Sequence, residues 1–356
     1  MQISMEQYDV IVVGVGSMGS ATLCDMAKKG LKVLGLEQFT LANELSSHTG
    51  QSRLIRLAYF EHPNYVPLLK KAYAGWRQIE SDAGVSLLHQ TGIAYYGKPE
   101  GPLISGIQSS VCVHDLNMAS ISTDHYAPLQ IPKDYKGLFE EVAGFITPEK
   151  AIRTYAQQAL MHGAVLRQNE RVISWRQHPN HIAVQTDQSS YQTDKLILTA
   201  GPHIQSLLPS FKLKLTITRQ LIGWLNPSRW QEFSIDDFPC WVIEEEGMPG
   251  IYYGFPILPI EGFDGPIGLK IAYHAPGEVI EPGQVKSFDG SQGSERLLAV
   301  SRRYFWDQKM TMLNINSCMY TYSSDDDFII DYLPQTDEKI ILATGFSGHG
   351  FKFVPA

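Results

Sequence analysis

The first apolar run of the chain, in "YDVIVVGVGSMGS", does not alternate: Val10, Ile11, Val12 and Val13 stand side by side before the glycines begin. A short unbroken run bounded by glycine predicts a strand buried on both faces, as in a parallel sheet. "SATLCDMAKKG" continues as a helix ending at Gly30, and "LKVLGLE" predicts a second strand closing on Glu37. Similar helix and strand patterns return in "KAIRTYAQQALMHGAVLRQNERVISW", "YQTDKLILTAGPHIQSLL" and "KIILATGFSGHG", so separated segments are expected to build one nucleotide-type sheet. Between them, residues 87–143 and 218–317 are β-rich, with aromatic stretches such as "GIYYGFP". The expectation is an α/β (α+β) chain of two interleaved domains. A Rossmann-like dinucleotide domain takes residues 1–86, 144–217 and 318–356, and a sheet-rich substrate domain takes 87–143 and 218–317.

Gly14, Gly16 and Gly19 form G-x-G-x-x-G between the first strand and the helix, and Glu37 follows Gly19 by eighteen residues. In such a unit the first glycine permits the tight turn and the second admits a pyrophosphate. The third lets helix and strand pack, and the acid meets a ribose hydroxyl. The helix N-terminus adds favourable charge for phosphate. A bare glycine motif often serves packing alone; here strand, helix and acid all agree with dinucleotide binding. These residues leave FAD and NAD both open.

Composition narrows the partners. With 29 basic and 37 acidic residues the net charge is −8, and no basic block offers a footprint for nucleic acid. The stretch "MQISMEQYDVIVVGVG" lacks a basic leader, and its apolar run is too short for a membrane span. Cys24, Cys112, Cys240 and Cys318 show neither C-x-x-C pairing nor metal-ligand spacing, so no metal is expected and a reducing cytoplasm suits them. Taken alone, Cys318 reads as a buried small hydrophobe. In "SSHTGQSRLIRLAYFEHPNYVPLL", Arg53 and Arg56 would share one face of a helix. The plainer expectation there is a solvated amphipathic helix; the alternative aims an arginine fork at a carboxylate.

Six motifs carry a more specific likeness: "VVGVGSMGS", "SSHTGQSRLIR", "GIYYGFP", "GLKIAYH", "CMYTYSSDDDFIID" and "GFSGHGFKF", spread from residue 12 to 353. With these the chain resembles the monomeric sarcosine oxidase family of flavoproteins, which includes N-methyltryptophan oxidase. The resemblance implies FAD as cofactor, joined through its 8α-methyl to the sulfur of Cys318. Implied flavin contacts are Gly14, Gly16, Ser17, Met18, Gly19, Glu37, Cys318, Gly345, Gly348, His349, Gly350 and Lys352. It assigns the substrate carboxylate to Arg56 and Lys352, and a flavin-side role to Arg53. Lys270 matches the lysine of the oxygen reaction, where a fixed positive charge stabilises superoxide. Leu269 and Ile271 flank it, so in a strand it would face away from both. His274, Tyr253 and Tyr320 match active-site residues of the family.

The implied activity is oxidative demethylation of an N-methyl amino acid such as sarcosine or N-methyltryptophan, using O2. Its products are formaldehyde, the primary amino acid and H2O2, and the enzyme is expected to be a cytoplasmic monomer. Alternatives are a flavin oxidase of a cyclic or glycated amino acid, an NAD-dependent dehydrogenase, and a flavin-binding protein without turnover. Three departures from the family stand out. His48-Thr49 replaces two adjacent histidines, and "ILPIEGFDGPIG" (257–268) is a lengthened loop expected to reshape the pocket entrance. Family members also continue past "FKFVPA" into another helix, so the sequence is expected to be shortened there.

Overall fold

The computed structural model describes residues 6–356; residues 1–5, part of the stretch read for a leader, lie outside the described residues. β1 (Glu6–Val13) runs parallel between β2 (Val33–Leu36) and the strand Ser190–Leu198. Val165–Arg167 flanks β2. The far edge of Ser190–Leu198 is shared: its first half pairs antiparallel with Ile182–Thr186, its last three residues parallel with Ile340–Thr344. The unbroken apolar run of β1 follows from cover on both faces. Val10 and Val12 pack with Leu23, Ala27, Ala151 and Tyr155 of two helices, while Tyr8, Ile11 and Val13 pack with Leu34, Val184, Leu196 and Leu342. α1 (Ser17–Lys28) starts directly after the glycine turn and packs on the helix Pro148–Met161.

The second sheet is largely antiparallel, with nine strands, and Thr216–Asn226 lies near one edge. That strand pairs along one edge with Thr311–Tyr322 and along the other with Leu269–His274. Ile251–Phe255, Cys240–Glu244 and Ile93–Gly97 continue outward in order. One face packs on the helix Gly290–Tyr304 and holds Leu269 and Ile271; the opposite face holds Ala272, Tyr253, Cys318 and Tyr320. Lys270 lies on that second side, over the Phe255 ring, so the expected alternation is present. The boundary drawn at residue 318 is not a boundary of the fold. Cys318 pairs with Gln220 inside the second sheet, and the first sheet resumes only at Ile329–Tyr332.

The helix considered for Arg53 and Arg56 is absent. Arg53–Ile55 is a short strand paired with Gly144–Ile146, and the following long helix begins only at Val66. The sheet partner and a left-handed turn at Gly50 and Gln51 override the helical spacing. Arg56 stands just past this strand, so the two arginines do not share the face of one helix. Among the described residues, no helix is long and apolar enough to cross a membrane, and all four cysteines are free.

Candidate active site

A cleft of about 1680 Å³, open mouth included, runs from the first glycine turn to the second sheet. Its walls include Gly14, Gly16, Ser17, Met18, Glu37, Arg53, Arg56, Tyr253, His274, Tyr320, Gly345, Gly348, His349, Gly350 and Lys352. Residues far apart in sequence therefore meet along one surface. Gly19, Cys318 and Lys270 do not line it.

At one end the three motif glycines have different tasks. Gly14 has φ +88°, and a Cβ there would meet the Thr199 carbonyl oxygen at 2.7 Å. A Cβ on Gly19 would sit 1.9 Å from the Gly14 oxygen, so this glycine serves packing. Gly16 has no such neighbour; the nearest atom is His48 Nδ1 at 3.9 Å, and the missing side chain leaves the cleft free. The buried Glu37 accepts hydrogen bonds from the Val15 N–H at 2.9 Å and the Phe39 N–H at 3.0 Å. These bonds fix its carboxylate beside the turn, while burial raises its pKa.

The other end is a cluster of charges. Arg56 is buried against the rings of Tyr59 and Phe60, and its Nη2 donates to both oxygens of Glu61 at 2.5 and 2.6 Å. Burial alone would raise the Glu61 pKa, but Arg56, with His349 and Lys352 behind it, pulls it down to about 2. Lys352 donates to the His349 carbonyl at 2.7 Å; burial, then Arg56, lowers its pKa to about 7. His274 Nδ1 lies 3.3 Å from the Tyr320 hydroxyl, and burial brings the imidazole to about 3, neutral at physiological pH. His349 is not free to bind a ligand through its ring nitrogens. The Tyr59 hydroxyl meets Nδ1 at 2.5 Å and Nε2 donates to the Asp326 carbonyl at 3.0 Å.

Two further cations, Arg53 in the wall and Lys270 behind it, are held by backbone carbonyls. Arg53 donates to the carbonyls of Ser47, Thr49 and Ser52. Lys270 is fully buried and donates to the Gly50 carbonyl, to the Ser52 carbonyl at 2.7 Å and to Ser52 Oγ at 2.9 Å. Burial, then Arg53, holds its pKa well below the ordinary lysine value. Burial raises the Cys318 thiol, while Arg53, Lys270 and Lys286 pull the other way. The lengthened loop 257–268 contributes nothing to the cleft, contrary to the expectation that it reshapes the entrance. Phe263 of the loop packs instead against the tilted rings of His89 and Phe145.

Sequence reading missed several wall residues. Glu61, Thr321 and Thr344 line the cleft, as do Thr199 and His203. Their signal is spatial: buried His48 Nε2, Arg56 Nε, Thr321 Oγ1 and Thr344 Oγ1 have no partner, and all four residues border this one cavity. Unsatisfied buried polar groups are costly, so their gathering in one cleft points to a polar ligand.

Residues 9–356 match the family model described as FAD dependent oxidoreductase, and the chain belongs to that family. Monomeric sarcosine oxidase of Streptomyces avermitilis is 31% identical over 355 residues, covering 98% of this chain and 91% of that protein. N-methyl-L-tryptophan oxidase of Yersinia pestis is 30% identical over 357 residues, covering 98% and 92%. Among solved structures, NikD, described as an unusual amino acid oxidase, aligns with a TM-score of 0.85 at 23% identity, over 98% of this chain and 91% of that one. L-proline dehydrogenase from P. horikoshii aligns with a TM-score of 0.79 at 18% identity, over 99% and 91%. The last two share the fold.

The protein is thus an FAD-dependent oxidoreductase, and its residues fit the cofactor. Gly16 leaves backbone exposed at the start of α1, where a pyrophosphate is favoured. Glu37 offers a fixed carboxylate for a ribose, and the unpartnered Thr321 and Thr344 hydroxyls and His48 imidazole offer further hydrogen bonds along the walls.

Proposed function

We propose that the protein is an oxidase of N-methyl amino acids, converting the N-methyl amine, O2 and water to the primary amino acid, formaldehyde and H2O2. The observation that carries this reading is the charge cluster at the far end of the cofactor cleft. Arg56 and Lys352 face a space shared with the neutral His274 and with Tyr320, a setting suited to a small amino acid. The substrate carboxylate takes Glu61's place on the Arg56 fork, and Lys352 adds the second cation. Holding the amine in one orientation in this way is a large part of the rate advantage. His274, unprotonated, adds no charge to compete with the amine. The bound FAD supplies the two-electron oxidation and passes the electrons to O2. Lys270 contributes a fixed charge to the oxygen step.

Covalent attachment of FAD at Cys318 belongs to the same reading. Burial raises the thiol, and Arg53, Lys270 and Lys286 counter it, supplying the cations on which thiolate formation for attachment would draw. A glycated or cyclic substrate loses its main support, since the loop that suggested it stays off the cleft. The free cysteines and the curated relatives support a monomeric cytoplasmic enzyme.

The test is a panel of sarcosine, N-methyltryptophan, other N-methyl amino acids and proline, read as O2 uptake with matching H2O2. Formaldehyde is expected from the N-methyl substrates. A loaded protein that releases no peroxide with any of them overturns the reading. A colourless pellet from yellow protein after acid precipitation removes the covalent link alone.

A further inference from the structure

The turn beneath Lys270 is strained. Gly50 has φ +119° and Gln51, which is not a glycine, has φ +71°. The Ser52 N–H donates to the Gly50 carbonyl at 2.8 Å, closing a γ-turn of the rare positive-φ form. Strain of this kind persists where the surroundings over-determine it, and it gathers at functional sites. One carboxylate does much of the holding. Glu149 Oε1 accepts from the Gly50 N–H at 2.8 Å and from the Gln51 N–H at 3.2 Å. Two successive N–H groups aimed at one anion form the concave anion site that such turns create. Across the turn, the Gly50 and Ser52 carbonyls point the other way and receive the Lys270 ammonium.

We propose that Glu149 is a positioning residue for the oxygen step, anchoring this strained turn so that its carbonyls hold Lys270 in place as a cation. The inference rests on the role given to Lys270 above. The charged and titratable groups that act most on Lys270 come from several elements. Arg53, on the adjoining short strand, opposes its charge; Glu149, Cys318 and Cys240, each from a different element, favour it. Glu149 is the only carboxylate among them, and it stands in the first turn of the helix Pro148–Met161, where an anion is welcome. Without it, a buried ammonium beside Arg53 has only carbonyls, a hydroxyl and aromatic faces for support.

The lengthened loop braces the same turn from outside. A Cβ on Gly265 would lie 3.3 Å from the Gln51 side chain. Asp264 pairs at 3.5 Å with Arg153, one helical turn beyond Glu149. Trp224 Nε1 donates to Gln51 Oε1 at 2.9 Å and closes the frame. The insertion therefore sits with the Lys270 turn and away from the substrate.

Glu149→Gln keeps an oxygen where the two N–H groups need one and removes the charge; Glu149→Ala removes both. In stopped-flow experiments on FAD-loaded protein, reoxidation by O2 should weaken as Lys270 loses its proton. For Glu149→Gln that limb should move to lower pH by about one unit, a tenfold slower step at a fixed pH on the limb. Anaerobic reduction by substrate should stay within about threefold on the same scale. A readout without turnover is the pH at which the N3–H of bound FAD ionises, followed by absorbance. A nearby cation lowers that pH, so it should rise in Glu149→Gln and in Lys270→Met. Unchanged profiles and ionisation in Glu149→Gln overturn the proposal. So do equal slowing of both half-reactions, or a Glu149→Gln chain that cannot take up FAD, since each marks a structural role. If Lys270→Met reoxidises like the parent, the Lys270 reading itself fails, and the proposal with it.

Discussion

At the scale of single residues, the charged end of the cleft already holds its own anion. Glu61 pairs with Arg56 through one guanidinium nitrogen in a partly buried ion pair, so any incoming carboxylate competes with it. Arg56→Gln should therefore cost about 2–5 kcal/mol in kcat/KM, much of it from leaving Glu61 and the substrate without a fork. Substrate amides should react poorly with the parent; if they match the acids, Arg56 does not bind a carboxylate. With Lys352 as the second cation of the proposed site, carboxylate binding should depend on pH. Its pKa lowered to about 7 by burial and Arg56, the lysine is charged below that value, so affinity for a carboxylate inhibitor should fall as pH rises through 7. Lys352→Met should flatten that limb, and an unchanged profile would remove Lys352 from the site. For Lys352, stability runs the opposite way to carboxylate binding. The depressed lysine is a burden at low pH that eases as pH climbs from 7 toward the unfolded value, about 10.4. Glu61, depressed to about 2, stabilises above the unfolded value of roughly 4.3 and loses that contribution as pH falls through 2. Arg56 and Lys352 were legible through their motifs. Glu61 was not, because its meaning lies in a contact and the string "YFEHPNY" carries no periodic signal.

At the scale of elements, the glycine turn shows which local rules carry through. The strand, glycine turn, helix and Glu37 were readable because neighbours in sequence determine them, and the geometry now separates the three glycines. Gly19→Ala drives a Cβ into the Gly14 carbonyl oxygen and should destabilise the FAD-free chain by about 1–3 kcal/mol, as overpacking does. Gly16→Ala meets nothing in the protein within 3.9 Å, so it should leave the FAD-free melting temperature nearly unchanged while weakening FAD uptake. Equal melting losses for the two variants would show that Gly16 serves packing. The short strand of Arg53 was not readable. Its partner, Gly144–Ile146, lies far along the chain, and helical spacing in "SRLIR" says nothing about a distant edge. Cys318 was expected at the start of the dinucleotide domain, but the sheet that claims it is set by pairing with Thr216–Asn226.

At the scale of the whole molecule, the cleft draws its walls from both sheets, so a molecule bound in it stabilises the two together. Met319, Tyr320 and Thr321 of the second sheet border it alongside Gly14 and Glu37 of the first. A dissociable ligand that binds only the folded chain stabilises by an amount set by its free concentration, about 2.7 kcal/mol at a hundred times its Kd. A ligand tied to Cys318 is carried by every loaded molecule, so added free FAD gives nothing more. The melting temperature of the loaded parent should therefore ignore both dilution and added FAD. Cys318→Ser should melt lower when dilute and recover as FAD is supplied. Replacing the buried sulfur of Cys318 by oxygen has its own cost in the apolar setting of that strand, so the decisive quantity is the FAD dependence and not the absolute temperature. If the parent's melting temperature climbs with free FAD as steeply as that of Cys318→Ser, the flavin is held by the cleft walls alone and the sulfur link is wrong.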